Sequence, residues 1–215
     1  MKIRAIAVAI GVSLAVFVAF VAALSPLETR ADTIAFSISG GSSFFPDQDA
    51  SLGYVFILDS PISVTSLGLF DEGSNGLNAF YNVFISTSGG DQPAHGVIPA
   101  GTGTTLIDGF RYVSIAPVLL PAGTYKIWAF YTTDIVDNVI TSAAITSASG
   151  LSYGGSTSDV GLTFPSGNFF GLSSGYFGPN FQFTAATSVP DTGTTCCLLG
   201  FSLAGLAFLR RKNPA

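Results

Sequence analysis

Asp191-Thr192-Gly193, near the end of the chain, is the tripeptide that carries the catalytic carboxylate of aspartic proteases. That chemistry needs a second aspartate facing the first, so that two carboxylates share one proton. No second Asp-Thr-Gly occurs in the chain, so only a homodimer could supply one. Pro190 removes a ladder hydrogen bond beside Asp191, and too few residues follow Gly193 to build a cradle for a catalytic loop. The surroundings of the tripeptide therefore argue against a protease.

Two acidic segments in the middle of the chain offer oxygen ligands for a hard cation. FPDQD places Asp47 and Asp49 two residues apart, and FDEGSNGLN contains Asp71, Glu72, Asn75 and Asn78. Carboxylate and amide oxygens on loops suit Ca²⁺, but the spacing is not that of an EF-hand, and such loops are also ordinary turns. The sequence predicts no cofactor, with one alternative left open, a calcium ion held by Asp47, Asp49, Asp71 and Asn75.

The remaining residues give little support for catalysis. His95 is the one histidine, and its segment GGDQPAHGVIP predicts a solvent-exposed loop with no serine partner indicated. Eleven acidic residues lie between Asp32 and Val189, yet nothing singles out a pair for glycoside hydrolysis. We therefore expect a protein that is not an enzyme, and a hydrolase with acids clustered on one rim stays as an alternative.

Charge is distributed unevenly along the chain. The same segment with eleven acidic residues holds only two basic ones, Arg111 and Lys126. Such a surface repels phosphate backbones, so nucleic acid is not an expected partner. The two cysteines, Cys196 and Cys197, are adjacent in the apolar tail, so the middle of the chain must fold without disulfides.

The N-terminal segment has the organisation of an export signal. Lys2 and Arg4 precede an apolar run from Ala5 to Leu24, and Ser25-Pro26 ends that run. Thr29-Arg30-Ala31 then provides small residues at the −3 and −1 positions. The pattern predicts a signal peptide over residues 1–31, cut by signal peptidase between Ala31 and Asp32. An uncleaved membrane anchor is the alternative, because the run is long enough to span a bilayer.

The C-terminal segment, residues 188–215, has three parts in a fixed order. A turn-like pentapeptide (Val189, Pro190, Asp191, Thr192, Gly193) precedes an apolar stretch from Cys196 to Leu209, and a basic cluster follows (Arg210, Arg211, Lys212). A helix over the apolar stretch would rise about 21 Å, less than the roughly 30 Å of the hydrocarbon core. The basic cluster would stay on the cytoplasmic side and act as a stop-transfer signal. The tail is thus either a short-lived anchor that is later cut or a permanent single span.

This tripartite tail resembles the PEP-CTERM class of C-terminal sorting signals, in the variant that begins Val-Pro-Asp-Ser/Thr-Gly. The likeness rests on Val189 to Lys212 and departs from the class at Cys196-Cys197. It implies that an exosortase, a membrane-embedded transpeptidase of Gram-negative bacteria, recognises the pentapeptide. The protein would then be exported, held in the membrane by its helix, and released to the cell surface or the exterior.

The middle of the chain, residues 32–187, alternates short apolar runs with turn residues. TIAFSI, LGYVFIL, SVTSLGLF, AFYNVFIS, FRYVSI, TYKIWAFY, NVITSAAIT and NFQFT each predict a strand. No helical apolar stripe occurs between the two ends. We predict an all-β, antiparallel, jelly-roll-like β-sandwich.

The strand TYKIWAFY illustrates how the elements are placed. Tyr125, Ile127, Ala129 and Tyr131 would share one face, and Lys126, Trp128 and Phe130 the other. Large groups on both faces predict a central strand that is covered on both sides. Trp128 is then a buried residue, and the alternative is a sugar-stacking platform.

The middle of the chain also resembles a domain common in exported PEP-CTERM proteins, through GYVFILDSPISVTSLGLFDEGSNGL, GFRYVSIAPVLLPAGTYKIWAFY and LTFPSGNFFGLSSGYFGPNFQF. The resemblance implies a β-sandwich and no particular activity. We expect a structural or interaction module of the cell envelope or extracellular matrix. The alternative is a carbohydrate-binding module that contacts extracellular polysaccharide through Tyr81, Trp128 or Tyr176.

Overall fold

The computed structural model describes residues 31–133, 137–166 and 175–186 of the 215-residue chain. The predicted sorting segment and the predicted signal peptide, apart from Ala31, lie outside these ranges, so both remain predictions as structures. Within the described ranges, no helix is long and apolar enough to cross a membrane.

Two five-stranded antiparallel sheets form the body of the domain. In spatial order, the first sheet contains β1 (Thr33–Ile34), β14 (Pro179–Ala185), β5 (Ile62–Phe70), β9 (Phe110–Leu120) and β8 (Thr105–Ile107). The second contains β13 (Leu151–Val160), β4 (Ala50–Leu58), β10 (Gly123–Tyr131), β6 (Tyr81–Thr87) and β7 (Ala94–Ile98). Two small sheets pair β2 (Phe36–Ser39) with β12 (Ala144–Ser147) and β3 (Ser42–Phe44) with β11 (Val139–Thr141). The predicted all-β antiparallel sandwich is confirmed.

The core lies between the two large sheets. Phe56 of β4 packs against Phe181 of β14 with ring centroids 4.8 Å apart, which joins one sheet to the other. One of the two predicted faces of β10 is buried in this core at every position, namely Tyr125, Ile127, Ala129 and Tyr131. Alternation with period two therefore places large apolar groups in the core.

The outer face of β10 is covered as well. Trp128 is 1% exposed, stacks on Phe84 with ring centroids 4.4 Å apart, and packs edge-to-face with Phe164 with ring centroids 6.1 Å apart. The buried Lys126 ammonium donates to the carbonyl oxygen of Pro165 at 2.7 Å. The segment after β13 thus covers this side of the sheet, and the prediction of a central strand buried on both faces is confirmed.

Strand β13 pairs with β4 through an irregularity at Gly154. The register shifts between Tyr153 and Gly155, so Gly154 is the extra residue of a bulge. A Cβ on Gly154 would lie 2.9 Å from Cγ1 of Val55, closer than side-chain carbons approach. Glycine at this position lets β13 run along β4 and brings its C-terminal end beside the β3–β4 connection.

Candidate functional site

The predicted cation loop around Asp71 is organised by a buried ion pair. Asp71 is 2% exposed and accepts hydrogen bonds from Arg111 Nε at 2.7 Å and from the Gly76 backbone N–H at 3.0 Å. The guanidinium also donates to three carbonyl oxygens, those of Ser74, Thr102 and Thr104. These donors occupy oxygens that a cation would need, so Asp71 fixes the loop against β9.

The other predicted calcium ligands lie on surface loops. Asn75 is exposed and follows the 3₁₀ turn Glu72–Ser74. Asp49, on the β3–β4 connection, accepts a hydrogen bond from the Thr133 backbone N–H at 3.0 Å, and Asp47 is exposed nearby. Across the described ranges, no three His, Cys, Asp or Glu side chains come together in a way that could hold a metal ion. The absence of a cofactor stays the prediction, and calcium stays the open alternative.

Asp137 forms a second buried polar cluster, which the sequence did not indicate. Its carboxylate accepts hydrogen bonds from Tyr81 Oη at 2.8 Å, from the Asn78 backbone N–H at 2.8 Å and from Asn78 Nδ2 at 3.0 Å. Burial raises the pKa of Asp137, and these hydrogen bonds oppose that shift. Burial likewise raises the pKa of Tyr81. The cluster joins the segment before β6 to the segment before β11.

Two of the three aromatics named as possible sugar platforms are inaccessible. Tyr81 and Trp128 are each 1% exposed, so neither can stack on a ligand, and that alternative is wrong for both residues. His95 is exposed, as expected, but it lies in strand β7 and not in a loop. Its ring stacks on Phe84 at 4.5 Å, because cross-strand neighbours on one sheet face come close together. Tyr176 is half-buried and borders a cavity.

That cavity, of about 390 Å³, opens between the β3–β4 connection and the C-terminal end of β13. Ala50 and Leu52 of β4 line it with buried apolar side chains. Phe44 and Tyr176 line it together, with ring centroids 5.7 Å apart and ring planes inclined at 51°. The cavity therefore combines an apolar lining with an aromatic pair.

The polar lining of the same cavity consists of carboxylate, amide and hydroxyl groups from Asp47, Gln48, Ser158, Asp159 and Ser166. The Asp159 carboxylate accepts hydrogen bonds from Ser166 Oγ at 2.8 Å and from the Val160 backbone N–H at 2.9 Å. The bond from the Ser166 hydroxyl is the main cause that lowers the pKa of Asp159. Asp159 therefore stays ionised at neutral pH and is held in position.

Two stretches, 150–154 and 171–175, have the Gly-x-Ser-x-Gly spacing of a hydrolase nucleophile. In known hydrolases that serine occupies a sharp turn from a strand into a helix. Ser152 instead lies within strand β13, where it pairs with Ile57 of β4. The serine of the second stretch, at position 173, lies outside the described residues. The first stretch therefore lacks the geometry of a nucleophile elbow.

In the sequence, the predicted processing sites precede and follow the domain. Ala31 and Asp32 are exposed, and the first strand starts directly after them at Thr33. Asp32 accepts a hydrogen bond from Thr65 Oγ1 at 2.9 Å. The pentapeptide Val189 to Gly193 and the basic cluster Arg210 to Lys212 lie outside the described residues. Cleavage after Ala31 stays a prediction.

Comparison with known proteins identifies the tail. Residues 188–212 match the VPDSG-CTERM motif family, which covers the pentapeptide, the apolar stretch and the basic cluster. No curated protein and no solved structure is detectably similar to the chain. The chain therefore ends in a PEP-CTERM-type sorting signal, which marks an exported protein that exosortase-type machinery processes.

Proposed function

We propose that the β-sandwich works in the cell envelope or extracellular matrix as a non-enzymatic structural or interaction module. The observation that carries this proposal is the sorting signal at residues 188–212, because it joins the domain to an export and surface-attachment route. The domain precedes that signal in the chain, so it is the part delivered when the tail is processed.

The use of polar groups in the domain supports a role without catalysis. Nucleophilic or acid–base catalysis needs a group that is free to exchange a proton with a substrate. The buried carboxylates form structural interactions: Asp71 pairs with Arg111, and Asp137 accepts a hydrogen bond from Tyr81. His95 stacks on Phe84 and lies 3.2 Å from Asn82 Oδ1, with no nucleophile among its described contacts. These groups stabilise the sandwich, and a stable sandwich suits a protein that acts outside the cell.

The location of the mature protein can be tested by fractionating cells that express the full-length gene. Intact mass would be measured in cytoplasm, membrane, outer envelope and medium. We expect a mature species that starts near Asp32, ends between Val189 and Gly193, and lies in the envelope or matrix fraction. Asp191→Ala is the matched variant, because it alters the pentapeptide without touching the domain, and it should leave the tail attached in the membrane fraction.

Two results would overturn the proposal. The first is a wild-type species that keeps the segment from Cys196 to Lys212 in the membrane, which would make the tail a permanent anchor. The second is turnover of nitrophenyl esters or glycosides by the purified protein, abolished by substitution of an acidic residue in the domain.

A further inference from the structure

The geometry points to a saccharide-binding site in the cavity beside Phe44 and Tyr176, which takes hydroxyl-rich sugar units without negative charge. The inference rests on the proposed function, since it names the class of partner that an envelope or matrix module would hold. It uses Phe44, Tyr176, Asp47 and Asp159, and of these only Tyr176 was considered for sugar binding from the sequence.

Size and accessibility suit a small ligand. The volume of about 390 Å³ lies within the range of roughly 300–1,000 Å³ found for small-molecule sites. Phe44 is 38% exposed and Val160 is 64% exposed at the cavity, so the site opens to solvent. An open site of this kind can take one or two units of a longer chain while the rest of the polymer stays in water.

The lining matches a molecule with one apolar face and many hydroxyls. The rings of Phe44 and Tyr176 offer surface for the C–H face of a sugar ring. A carboxylate group accepts hydrogen bonds, so Asp47 calls for a ligand that donates, whereas Asp159 already accepts from Ser166 and Val160. The side chains of Asp47 and Gln48 make no hydrogen bond to any described residue and are available to such a ligand.

Charge excludes the acidic members of the ligand class. Two carboxylates and no Lys, Arg or His line the cavity among the described residues. The nearby Lys126 ammonium is buried and donates to the Pro165 carbonyl, so the carboxylates of Asp47 and Asp159 dominate the charge at the cavity and would repel a uronate or a sulfated sugar. The cavity therefore favours neutral or amino sugars over anionic ones.

The test is isothermal titration calorimetry on the full-length chain, purified in mild detergent so that both terminal segments are kept. The probes are cello-, manno- and N-acetylchito-oligosaccharides, with oligogalacturonate as the anionic counterpart and CaCl₂ alone as the cation counterpart. We expect at least one uncharged oligosaccharide to bind. Phe44→Ala and Asp47→Ala should each weaken its binding by about tenfold, through lost stacking and a lost acceptor.

Matched controls separate loss of the site from loss of the fold. Phe80→Ala removes an aromatic that is 62% exposed outside the cavity, and Asp91→Ala removes an exposed carboxylate in the β6–β7 turn. Both should bind as the wild type does. Asp47 is exposed and makes no described side-chain bond, so Asp47→Ala tests the site even if Phe44→Ala fails to fold.

Four outcomes would overturn the inference. These are binding of none of the uncharged probes, equal binding of oligogalacturonate, binding that the cavity variants leave unchanged, and saturable binding of CaCl₂ alone that Asp47→Ala removes. The last result would assign the cavity to a cation. Calorimetry on purified protein does not depend on cell location, so failure here leaves the fractionation result standing, and the reverse also holds.

Discussion

Arg111→Met is the substitution that most directly tests how the domain is held together. The guanidinium joins the loop of Asp71 to the loop before β8 through the ion pair at 2.7 Å and three carbonyl acceptors. Methionine fills similar space with an apolar chain, so the substitution removes the charge and its hydrogen bonds with little change in volume. Asp71 would stay buried with the Gly76 N–H as its remaining described hydrogen-bond donor.

Loss of one member of a buried ion pair costs about 3–5 kcal/mol, because the other charge stays out of water without compensation. The pair here fits that case, since the side chains of Arg111 and Asp71 are only 6% and 1% exposed. For a chain of this size each kcal/mol lowers the melting temperature by about 2–4 °C, so we expect a fall of about 6–20 °C. Removing both charges together, in Asp71→Leu with Arg111→Met, should cost less than the sum of the single substitutions.

Thermal and urea unfolding of the full-length chain, followed by circular dichroism, would measure these changes. Asp91→Asn is the control, because that carboxylate is exposed, and its effect should stay within about 0.5 kcal/mol. A loss of unfolding free energy below about 1 kcal/mol for Arg111→Met, or strict additivity in the double variant, would refute the view that the buried Arg111–Asp71 ion pair stabilises the domain.

Three further predictions concern buried side chains. Tyr81→Phe removes a hydrogen bond to the Asp137 carboxylate and should cost about 1.5–3 kcal/mol in urea unfolding, whereas Tyr131→Phe should be neutral or stabilising, because that hydroxyl has no partner among the described residues. Burial raises the folded-state pKa of Asp137 above its ordinary value of 3.8. Its contribution to stability is therefore complete below pH 3.8 and is lost as the pH rises through the folded-state pKa. The unfolding free energy of Asp137→Asn, measured against pH, should lack this pH-dependent contribution. Trp128, the one tryptophan, should resist acrylamide quenching, and Phe164→Ala should increase quenching because the Phe164 ring packs against the indole. Wild-type quenching as strong as that of the unfolded chain would contradict the burial of Trp128.

The long strands rich in β-branched and aromatic residues could be predicted from the sequence alone. Runs rich in Val, Ile, Phe and Tyr correspond to the long strands β4, β5, β6, β9, β10 and β14. The two faces of β10 are also as predicted, since side-chain direction in a strand follows directly from residue order. These features are local, so local pattern is enough to find them.

Two strands of the second sheet were missed for a physical reason. β13 contains Gly154-Gly155 and many small polar residues, a composition typical of a loop, yet pairing with β4 makes it a ten-residue strand. β7 contains His95 and Gly96 and forms by pairing with β6. Conversely, two runs that were each predicted as one strand are divided. TIAFSI is divided at Ala35 between β1 and β2, and NVITSAAIT is divided at Ser142, where φ is 58°. Neighbouring strands override local propensity in each case.

By itself, the sequence determined that the protein carries an export and sorting signal, and it determined the class of the fold. The order of pentapeptide, apolar stretch and basic cluster in residues 188–212 is a linear signal, and alternation along the strands is a linear pattern. Only the tertiary structure decided how the polar and aromatic side chains are used. Arg111 meets Asp71 across 40 positions of the chain, and Tyr81 meets Asp137 across 56. The cavity likewise joins Phe44 to Tyr176, because the pairing of distant strands sets which side chains are covered and which face solvent.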